Sequence, residues 1–191
     1  MLDNIMIATD GSEASRHAAN LGISLAEHSG GNVIAVYVVD MQRIGHLPGY
    51  TTLHGLKESL LNAMLKEGEE AVSYIEEKSK DGGISCDKVI LKGDPSDELL
   101  RYSKEPGTDI LVIGSIGRTA ISKFLLGSVA EKVVRHSEVP VMVVPFSPAS
   151  ASLPLLSINP HSHACFFDYK GHSAIAQAST DPAWQTPWPS R

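Results

Sequence analysis

The feature that most restricts this chain is an alternation. Short, almost uninterrupted apolar runs take turns with longer stretches whose apolar residues recur every three or four positions. The short runs are residues 4–10 (NIMIATD), 32–40 (NVIAVYVVD), 85–93 (SCDKVILKG), 109–114 (DILVIG) and 139–145 (VPVMVVP). They are rich in β-branched residues and mostly lack a polar face, which reads as strands covered on both sides. Between the first two, residues 13–28 place Ala14, Ala18, Leu21 and Leu25 at helical spacing and stop at Gly30-Gly31. Residues 41–55 read as a Gly/Pro/Thr loop, and residues 56–80 as a long amphipathic helix carrying Leu60, Leu61, Met64, Leu65, Val72 and Ile75. Asp94-Pro95-Ser96-Asp97 opens another helix, with Asp as the cap, Pro at the first helical position and an acid at the third. Residues 128–137 (SVAEKVVRHS) form the last. A βαβαβαβαβ order of this kind predicts an α/β fold: a doubly wound sheet of five parallel strands with helices on both faces.

The alternation stops near Phe146, so the chain divides into a domain over residues 1–146 and a tail over residues 147–191. The tail holds six of the 11 prolines and both tryptophans, and its only formal charges are Asp168, Lys170, Asp181 and Arg191. Those four cancel, leaving the whole net charge of −6 on the domain. Without a 3.6 or 2.0 period, the tail is expected to be disordered. His161, His163 and Cys165 lie close in sequence, but no second ligand pair accompanies them and no metal site is read there. Cys86 and Cys165 form no CxxC pair, which argues against a disulfide framework or a structural zinc.

The acidic balance argues against broad electrostatic binding of nucleic acid. The opening residues show no basic segment followed by an apolar one, and no apolar run reaches the ~18–20 residues of a membrane helix. The expectation is a cytoplasmic protein with neither a nucleic-acid nor a membrane partner.

On an open α/β sheet, ligands bind beyond the carboxyl ends of the strands, where strand order reverses. The first strand ends in Ala8-Thr9-Asp10-Gly11-Ser12, the second in Val38-Val39-Asp40, and the fourth in Ile113-Gly114-Ser115-Ile116-Gly117-Arg118. Gly114 and Gly117 allow tight turns and let a ligand approach the backbone without meeting a Cβ. After nine further residues (118–126), Gly127-Ser128 opens the next helix, whose unpaired N–H groups and dipole favour an anion. Arg118 and Lys123 could neutralise phosphate oxygens. Each residue also has a plain structural reading. The two glycines could be ordinary turn residues, Asp10 could cap the first helix, and Ser128-Val129-Ala130-Glu131 fits a capping box. Standard alternatives are missing: GSIGRTAISK is not GxxxxGK[ST], TDGSEAS is not GxGxxG, and no GxSxG occurs. Of the eight histidines, none has an evident general-base partner.

These residues together resemble the universal stress protein family in its ATP-binding branch. The likeness covers residues 1–146 and rests on TDGS at the end of the first strand, on Gly114-x-x-Gly117 with its nine-residue spacing to Gly127-Ser128, and on FLLGSVAEKVVRHSEVPVMVV. The resemblance implies a strand order of 3-2-1-4-5, a bound ATP accompanied by Mg2+ or Mn2+, and a homodimer. Carried over by position, it implies a nucleotide site that includes Ala8 and Thr9, in which Asp10 contacts the ribose or adenine side and Val38 offers backbone groups to the adenine edge. Ile113 and Gly114 would then line the nucleotide, and Gly117, Gly127 and Ser128 would hold the phosphates with Val129 alongside, next to Arg118. Two departures stand out. Ala8 occupies a place where some relatives have proline, and Ile116 one where a basic or histidine side chain is frequent.

Three functions are consistent with this reading. The first is a nucleotide-binding regulatory module whose ATP state alters a surface or an assembly. The second is a slow ATP hydrolase or phosphotransferase using Ser115, Arg118, Ser128 and Mg2+, for which Asp10 is the only candidate base. The third is a structural dimeric partner without nucleotide. The apolar segment Val139–Val144 would be an edge strand, and antiparallel pairing with a second copy there is the expected dimer contact. Alternatively, the tail's LPLLSI folds over that edge.

Overall fold

A computed structural model describes residues 2–45, 55–105, 107–118, 126–146, 165–167 and 173–175. Strand β1 (Asn4–Thr9) is buried from Ile5 to Thr9 and sits at the centre of the sheet. It is followed by α1 (Glu13–Ser29), β2 (Asn32–Asp40), the short α2 (Met41–Gly45) and α3 (Leu56–Asp81). Then come β3 (Cys86–Gly93), α4 (Pro95–Tyr102), β4 (Ile110–Gly114), α5 (Ser128–His136) and β5 (Val141–Val144). The five strands pair in parallel in the order β3-β2-β1-β4-β5. Because β2 and β3 extend the sheet to one side of β1 while β4 and β5 extend it to the other, strand order reverses between β1 and β4.

Two apolar layers hold this sheet. On one face Ile5, Ile7, Val33 and Val112 pack with Ala18 and Ile23 of α1 and with Val72 and Ile75 of α3. On the other, Met6, Ile34, Leu111 and Val143 pack with Leu99 of α4 and with Ala130 and Val133 of α5. Burying an aliphatic side chain of this kind contributes roughly 1.5–3 kcal/mol, so alternate residues of β1 anchor opposite layers. Only β3 breaks the pattern: as an edge strand it leaves Asp87, Lys88 and Lys92 exposed.

The structure corrects two expectations. Helix α1 does not bury Leu21, which is 42% exposed; its inner face is made of Ala14, Ala18, Ala19, Gly22, Ile23 and Ala26. The cause is a close approach to the sheet: a Cβ at Gly22 would lie 2.8 Å from Ile7 Cδ1, so small residues face inward and the bulkier leucine turns away. Residues 41–45, expected to begin a loop, form α2 instead, started by the Asp40 carboxylate accepting from the Gln42 amide at 3.0 Å. Beyond the domain, the described residues 165–167 and 173–175 form β6 (Cys165–Phe167) and β7 (Ser173–Ile175). Strand β6 pairs antiparallel with β5, Val141 opposite Phe167 and Val143 opposite Cys165, and β7 pairs with β6. An uncovered apolar edge with open N–H and C=O groups is a template for such pairing. His46, His54, Lys123, His161, His163 and the LPLLSI segment lie outside the described residues.

Candidate functional site

The turn after β1 is built by its own side chains. Gly11 adopts a left-handed φ of 77°, a conformation that glycine takes at little cost. Its amide donates to Thr9 Oγ1 at 3.1 Å, and Thr9 Oγ1 shares a 3.1 Å hydrogen bond with Ser15 Oγ. The cap of α1 is Ser12, whose hydroxyl accepts from the Ser15 amide at 3.2 Å. Asp10, the other candidate for that role, does something else. Its Oδ1 accepts from the Ser12 amide at 3.0 Å and its Oδ2 from the Arg118 amide at 3.1 Å, which ties the turn after β1 to the turn after β4. Burial pushes the Asp10 carboxyl up, but hydrogen bonds from Ser12, Ser15 and the Arg118 amide outweigh it, leaving the group below the usual aspartate value.

The second turn leaves β4 at Gly114. A Cβ at Gly114 would sit 3.4 Å from the Ala14 backbone, and one at Gly117 would sit 2.9 Å from Asp10 Oδ2. Ser115 closes this turn onto β5: its amide donates to the Val144 carbonyl at 2.8 Å, and its hydroxyl accepts from the Phe146 amide at 3.3 Å. Gly127 donates to the Ser115 carbonyl at 2.8 Å, drawing the start of α5 against the mouth of β4. Here the capping-box alternative fails. The N-cap is Gly127, which has no side chain to offer, and Ser128 is the first helical residue.

Between these turns lies a cleft of about 500 Å³. All eleven residues singled out from the sequence line it: Ala8, Thr9, Asp10, Val38, Ile113, Gly114, Gly117, Arg118, Gly127, Ser128 and Val129. The sequence reading missed Tyr37, Arg43, Met64, Pro95 and Leu99, which also line it. Pro95 and Leu99 come from α4 and Met64 from α3, so their presence depends on helix packing rather than on any local motif. The lining divides by chemistry into apolar groups (Ala8, Val36, Val38, Leu99 and Ile113) and a polar set that includes Ser128 at the start of α5 and two arginines, Arg43 and Arg118. Such a division suits a ligand with a flat apolar body and an anionic tail.

Arg118 is less free than a surface cation. Its Nε donates to the Asp10 carbonyl at 2.6 Å, its Nη2 donates to the same oxygen, and its Nη1 lies 2.5 Å from Glu67 Oε1 on α3. Among the described residues, no three His, Cys, Asp or Glu side chains converge as metal ligands, and no helix is long and apolar enough to cross a membrane.

Comparison with known proteins gives a consistent result. The sequence profile of the universal stress protein family matches residues 1–145. The universal stress protein MJ0531 of Methanocaldococcus jannaschii is 34% identical over 140 residues, covering 73% of this chain and 80% of its own length. The solved structure of MJ0577, from the same organism, superposes with a TM-score of 0.67 at 28% identity, covering 77% of this chain and 98% of that one. More distant structures share the fold. One is a universal stress protein in complex with cAMP, at a TM-score of 0.56 and 23% identity, covering 76% of this chain and 98% of its own. Another is a family member from Arabidopsis thaliana with AMP bound, at 0.54 and 19%, covering 77% and 94%.

Proposed function

The chain belongs to the universal stress protein family, and from that premise we propose that it is a stress-response module that binds ATP in the cleft between β1 and β4. The observation that carries this reading is the state of Gly127. Its φ of −64° and ψ of 148° are open to any residue, and among the described residues a Cβ there would come no nearer than 3.5 Å to its surroundings. The described residues do not demand glycine at this position, whereas a phosphate drawn to the α5 amides would. Relatives of the same fold that hold cAMP and AMP support an adenine nucleotide as the ligand class.

In this reading the apolar wall formed by Val38, Ile113 and Ala8 receives the base, and Thr9 and Asp10 lie beside the ribose. Gly114, Gly117, Arg118, Gly127, Ser128 and Val129 surround the phosphates. Mg2+ or Mn2+ would arrive on the phosphates, because the one carboxylate at the turn, Asp10, has both oxygens committed to backbone amides. That same commitment favours binding over turnover, since phosphoryl transfer to water needs a group free to orient the nucleophile. Within the cell we place the protein in the cytoplasm, with nucleotide state altering a surface or an assembly.

Dimerisation through Val139–Val144 is the proposed assembly, and it requires β6 to leave the edge of β5 that it covers. Calorimetry of purified, dialysed protein against ATP tests the central reading. Saturable binding in the micromolar range is expected, and no adenine nucleotide bound at high micromolar concentration would overturn it.

A further inference from the structure

We propose that Glu67, on α3, sets how strongly the cleft discriminates phosphorylated from unphosphorylated adenosine, by competing with phosphate for the Arg118 guanidinium. The inference rests on the nucleotide reading above. Arg118 belongs to the turns that form the phosphate end, since its own amide binds Asp10 and its side chain borders the cleft. The charge of that side chain is already partly spent. Glu67 Oε1 lies 2.5 Å from Nη1, and the other carboxylate oxygen, Oε2, accepts from the Tyr37 hydroxyl at 3.4 Å, which restrains the acid in place. Glu67 itself does not line the cleft. It lies in an adjoining groove of about 590 Å³ that Leu60, Ala63 and Met64 also line, and Arg118 borders both spaces.

The guanidinium side chain is only 28% exposed, so its pairing with Glu67 is less screened than a fully solvated contact. A phosphate oxygen that recruits Arg118 must therefore draw it from a carboxylate, whereas adenosine makes no such demand. Glu67 is a positioning residue in this scheme: it acts on the ligand only through Arg118.

The test is a set of affinities for ATP, AMP and adenosine in the full-length protein. With Glu67→Gln, ATP and AMP are expected to bind about three- to tenfold more tightly, while adenosine stays within about twofold of the original protein. Glu67→Ala, which removes the acid and its hydrogen bonds together, should repeat the gain. In an Arg118→Gln background the gain should vanish, because the group through which Glu67 acts is gone. Unchanged or weaker ATP binding in Glu67→Gln overturns the inference. So does an equal gain for adenosine, or a gain that survives Arg118→Gln. Original protein that binds none of the three ligands overturns the nucleotide reading itself, and this inference with it.

Discussion

A Cβ at Gly117 would press to 2.9 Å from Asp10 Oδ2, while one at Gly127 would meet only ordinary contacts. The first glycine is thus kept small by packing within the protein, and the second, on the nucleotide reading, by the phosphate proposed to approach it. This separates their substitutions. Gly127→Val is expected to abolish ATP binding and to leave far-UV circular dichroism and the unfolding midpoint close to the original, because its backbone already lies in a β-branched residue's preferred region. Retained affinity in that variant would remove Gly127 from the phosphate site. The residue scale was also where sequence reasoning reached furthest, since Asp10, Gly114 and Gly117 follow strand ends and Gly127-Ser128 opens a helix, positions that the alternation already defines. It could not foresee that Arg118 would be tied to Glu67, because 51 residues separate them (118 − 67) and only the packing of α3 brings them together.

Helix α4 shows how an element can be specified by its first turn. Asp94 Oδ1 accepts from the Asp97 amide at 3.0 Å and from Ser96 Oγ at 2.6 Å, with Pro95 fixing the first helical position. Lys132 of α5 lies 3.4 Å from the same oxygen, so the cap also touches the neighbouring helix. Asp94→Ala should cost about 1 kcal/mol of stability through the lost cap, whereas Asp94→Asn should retain most of it, since an amide oxygen still caps while the charge toward Lys132 is lost. Urea unfolding of the two variants checks this; equal losses would show that the ion pair, not the cap, matters. The start of α4 was readable because capping chemistry is local. The buried face of α1 was not, because the choice between Leu21 and its smaller neighbours follows from how closely the helix approaches Ile7. Helix α2 was missed for another reason: five residues are too few for a 3.6-residue period to show.

At the scale of the whole molecule, the two edges of the sheet are treated differently. Strand β3 protects its edge with exposed Asp87, Lys88 and Lys92, and Lys88 is paired with Glu69 and Glu76 of α3. Strand β5 carries only valines and a methionine, and its outer edge is met by β6 from the same chain. A second copy and the tail therefore compete for one row of hydrogen bonds. A chain ending at Phe146 is expected to dimerise more tightly in sedimentation than the full chain, whose β6 must first leave the edge; equal association of the two would show that this edge is not the assembly contact. The parallel order and its switch point were legible from the alternation of runs and the family resemblance, whereas this pairing depends on three-residue strands in a segment without periodicity.

The opposite end of β1 carries a practical consequence. The Asp109 carboxylate accepts from the Asp3 and Asn4 amides at 2.6 and 2.9 Å, fastening the beginning of the chain to the floor of the sheet. A six-residue strand spans about 20 Å, and β1 has six residues leading to the mouth. A fluorophore, purification tag or surface tether joined ahead of Asp3 would thus emerge from the underside, leaving the entrance clear for titration, while the same attachment beyond Phe146 would start beside the contested edge.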